Sequence, residues 1–268
     1  MKFTTYGDHQ EVILMIPGPL LSGACLIQIA QDLASTYKVV LITPDGALPQ
    51  TTYPGARSFA QDLMYQLKIH RLTHVRMLYG MSSSCALVME LASRDDFHAD
   101  YYFYESAPFY HVVPFLRQSI VARLTQVIEK VRHLERQAFR EALCHDELIR
   151  KLLGRDAPFY TAMFDDMYDV AQFANCATLE HVIRDIVDYR IIEMDPSQMR
   201  QSIFFYGMEG ACYKVKDVLF DKYPYANFIE IPDRYYCGEL VLEPKAYVTT
   251  IKHILQNHKK KELALPMA

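Results

Sequence analysis

Short apolar runs alternate with amphipathic stretches through the first hundred residues. Runs rich in β-branched and aromatic residues, each only four or five residues long, predict buried strands at 12–16, 39–42, 75–79 and 101–104. Between these runs apolar residues recur at helical spacing, which predicts helices over 24–35, 58–69 and 83–92. This alternation is typical of a doubly wound α/β fold with a mostly parallel sheet.

The pattern changes over residues 111–200, where helical spacing with dense charge replaces the alternation. It resumes with predicted strands at 202–206 and 227–231 and predicted helices at 214–220 and 244–256. We therefore predict a core made of residues 1–110 and 201–268, with residues 111–200 inserted as a helical cap. The aromatic and Met-rich segment 159–173 either covers a cleft or packs the cap against itself.

Length and charge restrict the function classes that need consideration. A chain of 268 residues with 51% hydrophobic residues is long enough for one core of about 170 to 180 residues plus an insertion. The 28 Lys and Arg against 32 Asp and Glu give a net charge of −4, which provides no general attraction for nucleic acid or anionic membranes. We expect a small-molecule substrate or ligand as partner, and homo-oligomerisation stays open.

Cysteine and glycine spacing argues against a bound metal or nucleotide cofactor. The six cysteines form no C-x-x-C pair and have no histidine at zinc-ligand spacing, so no metal site is expected and the thiols are expected to be reduced. The ten glycines form neither G-x-G-x-x-G nor a P-loop. The first residues lack a long apolar segment, which predicts a cytoplasmic protein without a membrane span.

One short motif carries the candidate chemistry. The segment Gly80-Met81-Ser82-Ser83-Ser84 follows a predicted strand and opens a predicted helix, which is the context of a nucleophile elbow. Small residues two before and two after the serine are needed because strand and helix backbones approach closely there. In this interpretation Ser82 is the nucleophile and the Ser83 N–H faces an oxyanion. The alternative is a serine-rich segment that only caps the helix.

These residues give the chain a resemblance to the α/β-hydrolase family that extends over nearly its whole length. An early strand ends at Pro17-Gly18, where that family usually has His-Gly, and the elbow at Ser82 is followed by a strand and a helical insertion. The resemblance implies a serine hydrolase of the esterase type. It places the catalytic acid after the strand at 202–206, which is Glu209, or alternatively after the strand before the insertion, which is Glu105.

The chain departs from the family pattern at two positions. The residue eight before Pro244, where the family usually has its catalytic histidine, is Tyr236, and a phenol with a pKa near ~10 is a poor proton acceptor at neutral pH. Pro19 follows Pro17-Gly18 and has no N–H for an oxyanion, so Leu20 is the substitute donor. His111 is a candidate replacement base, and Cys237 is a further candidate reactive group.

Two functional hypotheses follow from these departures. In the first, the chain is a serine hydrolase that acts on a small ester, thioester or amide with an apolar part. In the second, it has the same fold but has lost the catalytic triad, and it holds a ligand in the same cleft without turning it over. The side chain within hydrogen-bond reach of Ser82 is the observation that separates them.

Overall fold

One seven-stranded sheet forms the centre of the described part of the chain. The computed structural model describes residues 1–110 and 114–262. Within these ranges the strands are β1 (Lys2–Tyr6), β2 (Val12–Ile16), β3 (Lys38–Thr43), β4 (His74–Met81), β5 (His98–Glu105), β6 (Ser202–Gly207) and β7 (Asn227–Ile231). Their order across the sheet is β1-β3-β2-β4-β5-β6-β7. Only the β1–β3 pair is antiparallel, so the predicted mostly parallel sheet is confirmed.

The helices follow the strands in the order that the sequence pattern predicts. They are α1 (Ile27–Leu33), α2 (Ala56–Ile69), α3 (Cys85–Ala92), α4 (Pro114–Val131), α5 (Arg136–His145), α6 (Glu147–Leu153), α7 (Thr161–Ala171), α8 (Cys176–Val187), α9 (Pro196–Gln201), α10 (Lys216–Lys222), α11 (Gly238–Leu242) and α12 (Pro244–Glu262). Helices α4 to α9 all lie between β5 and β6, in the predicted insertion. None of the helices described is long and apolar enough to span a bilayer.

Several predicted elements have different bounds in the structure. The helical spacing predicted within residues 111–200 is divided among helices, and Glu135, with an extended backbone at φ −67° and ψ 156°, separates α4 from α5. The strand predicted at 101–104 starts earlier, at His98, and ends at Glu105. Its first residues are polar, which hides them from a search for apolar runs, but His98 pairs in register with His74 of β4.

Aromatic side chains connect neighbouring strands in the centre of the sheet. The rings of Tyr79, Phe103 and Phe205, from β4, β5 and β6, stack in sequence with centroid separations of 5.5 and 5.7 Å. On the opposite face of the sheet, the ring of Tyr104 stacks on that of Phe204 with a centroid separation of 4.5 Å. Such cross-strand aromatic pairs stabilise a sheet beyond the effect of area burial. They make the carboxyl ends of β4 and β5, where the candidate site begins, a rigid platform.

A buried carboxylate of α7 attaches the insertion to the core. Asp166 is 2% exposed, and its two oxygens accept hydrogen bonds from the Ser22 N–H at 2.8 Å, the Ser22 hydroxyl at 2.5 Å, the Gly23 N–H at 3.0 Å and the Cys25 N–H at 3.3 Å. These donors belong to the loop that follows β2 and enters α1. The insertion therefore holds the loop that carries Pro19 and Leu20.

A second buried carboxylate does the same from α8. Asp185 accepts hydrogen bonds from the Tyr53 hydroxyl at 2.8 Å and from the Ala56 N–H at 2.9 Å. Burial raises the pKa of Asp185 to about 7, although both hydrogen bonds act in the opposite direction. The loop before α2 is thus attached to the insertion by a group that binds a proton at mildly acidic pH.

Candidate functional site

Ser82 occupies a sharp turn between β4 and α3. Its φ is +57°, in the left-handed region that non-glycine residues rarely adopt. A short 3-10 turn, Ser82–Ser84, continues directly into α3. A left-handed serine between a central parallel strand and a helix is the geometry of a nucleophile elbow, which lifts the hydroxyl away from the sheet.

Gly80 and Ser84 show why small residues flank this turn. A Cβ on Gly80 would lie 2.5 Å from Cγ2 of Val88 and 2.7 Å from the carbonyl oxygen of Ser84. Ser84 is fully buried and donates its hydroxyl to the carbonyl of Pro17 at 2.5 Å. The hydroxyl thereby links the start of α3 to the loop after β2, a contact that a glycine at this position could not make.

We expect Gly80→Ala to lower the free energy of unfolding by about 1–3 kcal/mol, because the methyl group overpacks a site closed by backbone atoms. Gly18→Ala is the matched control: a Cβ there meets nothing nearer than 3.8 Å. Urea denaturation followed by circular dichroism measures both variants. Equal stabilities for the two variants would contradict the tight approach of strand and helix at Gly80.

The Ser82 hydroxyl lies at a mostly apolar cavity of about 180 Å³ between the core and the insertion, which we call the Ser82 cavity. Its lining comprises Gly18, Pro19, Leu20, Leu21, Ser82, Ser83, Ile149, Leu152, Leu153, Met163, Phe164, Met167, Val182, Ile186 and Tyr236. Four residues singled out from the sequence, Ser82, Ser83, Leu20 and Tyr236, thus meet at one cavity. The segment 159–173 contributes Met163, Phe164 and Met167 to its wall, so three of its apolar side chains face this cavity.

Comparison with known proteins gives a structural match without a sequence match. No protein-family model matches the chain, and no curated protein does. An α/β-hydrolase family protein from Desulfitobacterium hafniense superposes with a TM-score of 0.74 at 17% identity, covering 95% of this chain and 100% of that one. A thermophilic esterase from Thermogutta terrifontis superposes with a TM-score of 0.73 at 14% identity, covering 96% and 93%.

The chain has the α/β-hydrolase fold. An enol-lactonase from Burkholderia xenovorans is similar as well, with a TM-score of 0.67, 12% identity and coverage of 95% of both chains. The resemblance expected from the sequence is confirmed at the level of the fold. At these identities the likeness carries no information about the reaction, so the chemistry has to be argued from the side chains.

Tyr236 is the side chain that faces the nucleophile position of this α/β-hydrolase fold. Its phenol lies beside the Ser82 side chain at the wall of the Ser82 cavity, and its backbone carbonyl accepts a hydrogen bond from the Tyr160 hydroxyl at 2.6 Å. Burial raises the pKa of Tyr236 well above its usual value, and the contact with Ser82 offsets only part of that shift. The phenol is therefore neutral at physiological pH and cannot accept the serine proton.

Of the two candidate acids, Glu105 is the buried one, at the end of β5, where it pairs in register with Met81 of β4. Its carboxylate is 1% exposed and accepts hydrogen bonds from Ser106 Oγ at 2.9 Å and from the Tyr247 hydroxyl at 2.6 Å. Burial raises the pKa of Glu105 to about 7, although hydrogen bonds from Tyr247, Ser106 and the Cys237 side chain lower it. A buried carboxyl group with this pKa holds a proton over part of the physiological range.

Glu209, the acid that the sequence argument preferred, lies on the surface. Its N–H donates to the Arg234 carbonyl at 2.9 Å, but among the described residues its carboxylate has no hydrogen-bond or ion-pair partner. It lies in the turn after β6 that the Gly210 N–H closes by donating to the Gly207 carbonyl at 3.2 Å, on the exposed side of the chain. The geometry thus favours Glu105 over Glu209 as the carboxyl group of the site, and its catalytic role stays a prediction.

Cys237 is buried and positioned by its backbone. It has a left-handed φ of +52°, and its N–H donates to Ser106 Oγ at 3.1 Å. Burial, and then the charge of Glu105, raise the pKa of the Cys237 thiol well above its usual value. A thiol in this state is a weak nucleophile, which argues against Cys237 as the reactive group. His111, the candidate replacement base, lies outside the described residues.

The oxyanion side of the site contains two candidate N–H donors. Ser83 is in the first turn of a helical segment, where N–H groups have no partner within the helix. Leu21 N–H donates to the Gly18 carbonyl at 2.8 Å, which closes a tight turn around Pro19 and Leu20. The Leu20 N–H is not used in this turn bond and so stays available as the predicted loop donor in place of Pro19.

Proposed function

We propose that the chain is a serine hydrolase that acts on a small ester, thioester or amide with an apolar part, with Ser82 as nucleophile. The observation that carries this proposal is the left-handed Ser82 at the wall of an apolar cavity. Esterases and an enol-lactonase among the similar solved structures show that this fold accommodates such a reaction. Acyl transfer needs this combination: an exposed hydroxyl, nearby N–H donors and exclusion of water.

In the proposed reaction the Ser82 oxygen attacks the substrate carbonyl carbon and its proton leaves to a water molecule in the cavity. The carbonyl oxygen becomes negatively charged and accepts hydrogen bonds from the N–H groups of Ser83 and Leu20. The intermediate then collapses, the bond to the alcohol, thiol or amine breaks, and that group leaves with a proton while the acyl group stays on Ser82. A water molecule next attacks this acyl group, which releases the carboxylic acid and restores the Ser82 hydroxyl. Because Tyr236 is a neutral phenol beside the hydroxyl, we expect turnover to be slow, by about 10⁴-fold relative to a site with an imidazole base.

A second apolar cavity of about 120 Å³ supports the apolar part of the proposed substrate. It shares Leu20, Ile149, Met167, Val182 and Ile186 with the Ser82 cavity, so the two spaces adjoin within the insertion. The other residues around it are also apolar, which disfavours a charged or sugar-like group there. An aliphatic acyl or alcohol chain fits this environment.

The state of Tyr236 favours a second candidate function, that of a ligand-binding protein that has lost catalysis. A buried neutral phenol can donate a hydrogen bond to a carbonyl or carboxyl oxygen of a ligand without activating Ser82. The same compounds would then bind in the Ser82 cavity and leave unchanged.

Labelling with a fluorophosphonate at pH 8, followed by intact-mass spectrometry, tests the proposal. We expect one adduct per chain on the native protein and none on Ser82→Ala, with the exposed Ser93→Ala as matched control that labels normally. Hydrolysis of nitrophenyl esters with acyl chains of increasing length should likewise depend on Ser82. Absence of Ser82-dependent labelling and turnover, together with thermal stabilisation by the same esters, would favour the ligand-binding alternative.

A further inference from the structure

Two histidines and an aspartate form a cluster at the amino-terminal ends of β4 and β5. His74 and His98 are register partners on these neighbouring strands, and their ring centroids lie 5.0 Å apart. Asp100 is two residues after His98 and therefore lies on the same face of the sheet. Its Oδ1 lies 3.3 Å from His74 Nε2 and 3.7 Å from His98 Nε2. All three ligand atoms are within 4.8 Å of one another.

We propose that the His74–His98–Asp100 cluster binds a divalent transition-metal ion such as Zn²⁺. Two ligands of a tetrahedral zinc ion, each about 2.0–2.1 Å from the metal, lie about 3.3–3.4 Å apart. The two nitrogen-to-oxygen distances are close to that separation and the third pair lies within 4.8 Å, so rotations of the two exposed imidazoles would bring all three ligands to one ion. Imidazole and carboxylate together suit zinc, copper and nickel rather than calcium or magnesium.

Arg76 orients the carboxylate of this cluster. Its Nη1 donates to Asp100 Oδ2 at 2.8 Å, and its Nη2 donates to the Leu255 carbonyl of α12. The guanidinium is buried, whereas both imidazoles are largely exposed. Holding Oδ2 in this way leaves Oδ1 directed at the two histidines. Partners of this kind, which position a ligand without touching the metal, are a regular part of metal sites.

The exposure of the cluster determines how the metal would be held. Three protein ligands on one side leave the remaining positions to water, so we expect weaker binding than in a closed structural site with four protein ligands. The ion would connect the starts of two central strands. It would lie roughly 25 Å from Ser82, at the opposite end of the eight-residue strand β4, so binding should be independent of the proposed hydrolase activity.

Titration of tag-free, metal-stripped protein with Co²⁺, followed by visible absorption, tests the site, and Zn²⁺ competition gives its affinity. A Cys176→Ser background removes the exposed thiol as an alternative ligand. We expect one ion per chain in this background. Loss of a residue that only positions a metal ligand costs roughly 10–100-fold in affinity. We expect each direct ligand variant to weaken binding at least as much: His74→Ala, His98→Ala and Asp100→Asn. The exposed His9→Ala is the matched control and should bind normally.

Two outcomes would overturn the inference. One is the absence of stoichiometric Co²⁺ binding by the Cys176→Ser protein. The other is binding that persists unchanged in His74→Ala and His98→Ala, which would assign the ion to another part of the chain. Since the three ligands are on the surface, the variants should remain folded, and near-ultraviolet circular dichroism verifies this. Fluorophosphonate labelling of Ser82 should be the same in all variants. Failure of the metal-site proposal can therefore be distinguished from failure of the hydrolase proposal.

Discussion

Tyr236→His should raise the kcat/KM of Ser82-dependent ester hydrolysis by about 10²-fold or more, the usual contribution of a positioned general base. The phenol it replaces lines the Ser82 cavity beside the serine and is neutral because burial raises its pKa. An imidazole with a pKa near ~6.5 accepts the serine proton at neutral pH. Activity should therefore increase from pH 5.5 to 8 as the imidazole loses its proton. Initial rates with nitrophenyl esters across this range measure both effects.

Two control variants distinguish a rate increase caused by the imidazole from one caused by altered packing at position 236. Tyr236→Phe keeps the ring without any proton-transfer group and should show no gain. Adding Ser82→Ala to Tyr236→His should abolish the gain, because the imidazole acts only through the hydroxyl. A folded Tyr236→His protein with unchanged rates at all pH values would argue that the Pro19 loop, rather than the missing base, limits catalysis, and would weaken the serine hydrolase proposal.

Asp166→Ala should lower the free energy of unfolding by about 3 kcal/mol or more. The carboxylate accepts four hydrogen bonds from Ser22, Gly23 and Cys25, and its removal leaves those donors without their partner in a largely buried place. Because the donors form the loop next to Pro19 and Leu20, the variant should also lose Ser82 labelling. Urea denaturation and fluorophosphonate labelling measure the two effects.

Asp169→Ala is the matched control on the same helix. Asp169 pairs with Arg136 at 2.6 Å, but its side chain is 59% exposed, and surface ion pairs of this kind contribute about 0–1 kcal/mol. The two aspartates are three residues apart on α7 and differ mainly in burial. Similar stability losses for both variants would mean that Asp166 contributes as a surface charge and not as the anchor of the loop.

The sequence predicted the central sheet and the elbow because both depend on local patterns. Apolar runs of four or five residues between amphipathic stretches identify buried parallel strands, and Gly80 and Ser82 lie at fixed offsets from the end of β4. The position of Tyr236 was also predictable, since it is counted from the proline that opens α12. In the structure it lines the same cavity as Ser82, and its role in the reaction stays a prediction.

Other parts of the site depend on contacts between distant residues. The choice between Glu105 and Glu209 rests on how the chain turns after β5 and β6, which spacing does not encode. Asp166 contacts Ser22 across 144 positions, and no local motif marks it. His74 and His98 meet only because β4 and β5 pair in one particular register. The sequence argument against a metal site examined only the spacing of ligands along the chain. That argument cannot detect a cluster whose members come from two different strands.

The order of strands in the sheet also determines when each strand can find its partner during synthesis. Val75 of β4 pairs with Ala99 of β5, whereas Tyr102 of β5 pairs with Ser202 of β6. During translation, the edge of β5 therefore stays unpaired until the whole insertion and then β6 have been synthesised. An uncovered strand edge that presents Phe103 and Tyr104 invites association between nascent chains. We thus expect the need for chaperones during expression to depend more on the length of the insertion than on the free energy of unfolding of the native protein.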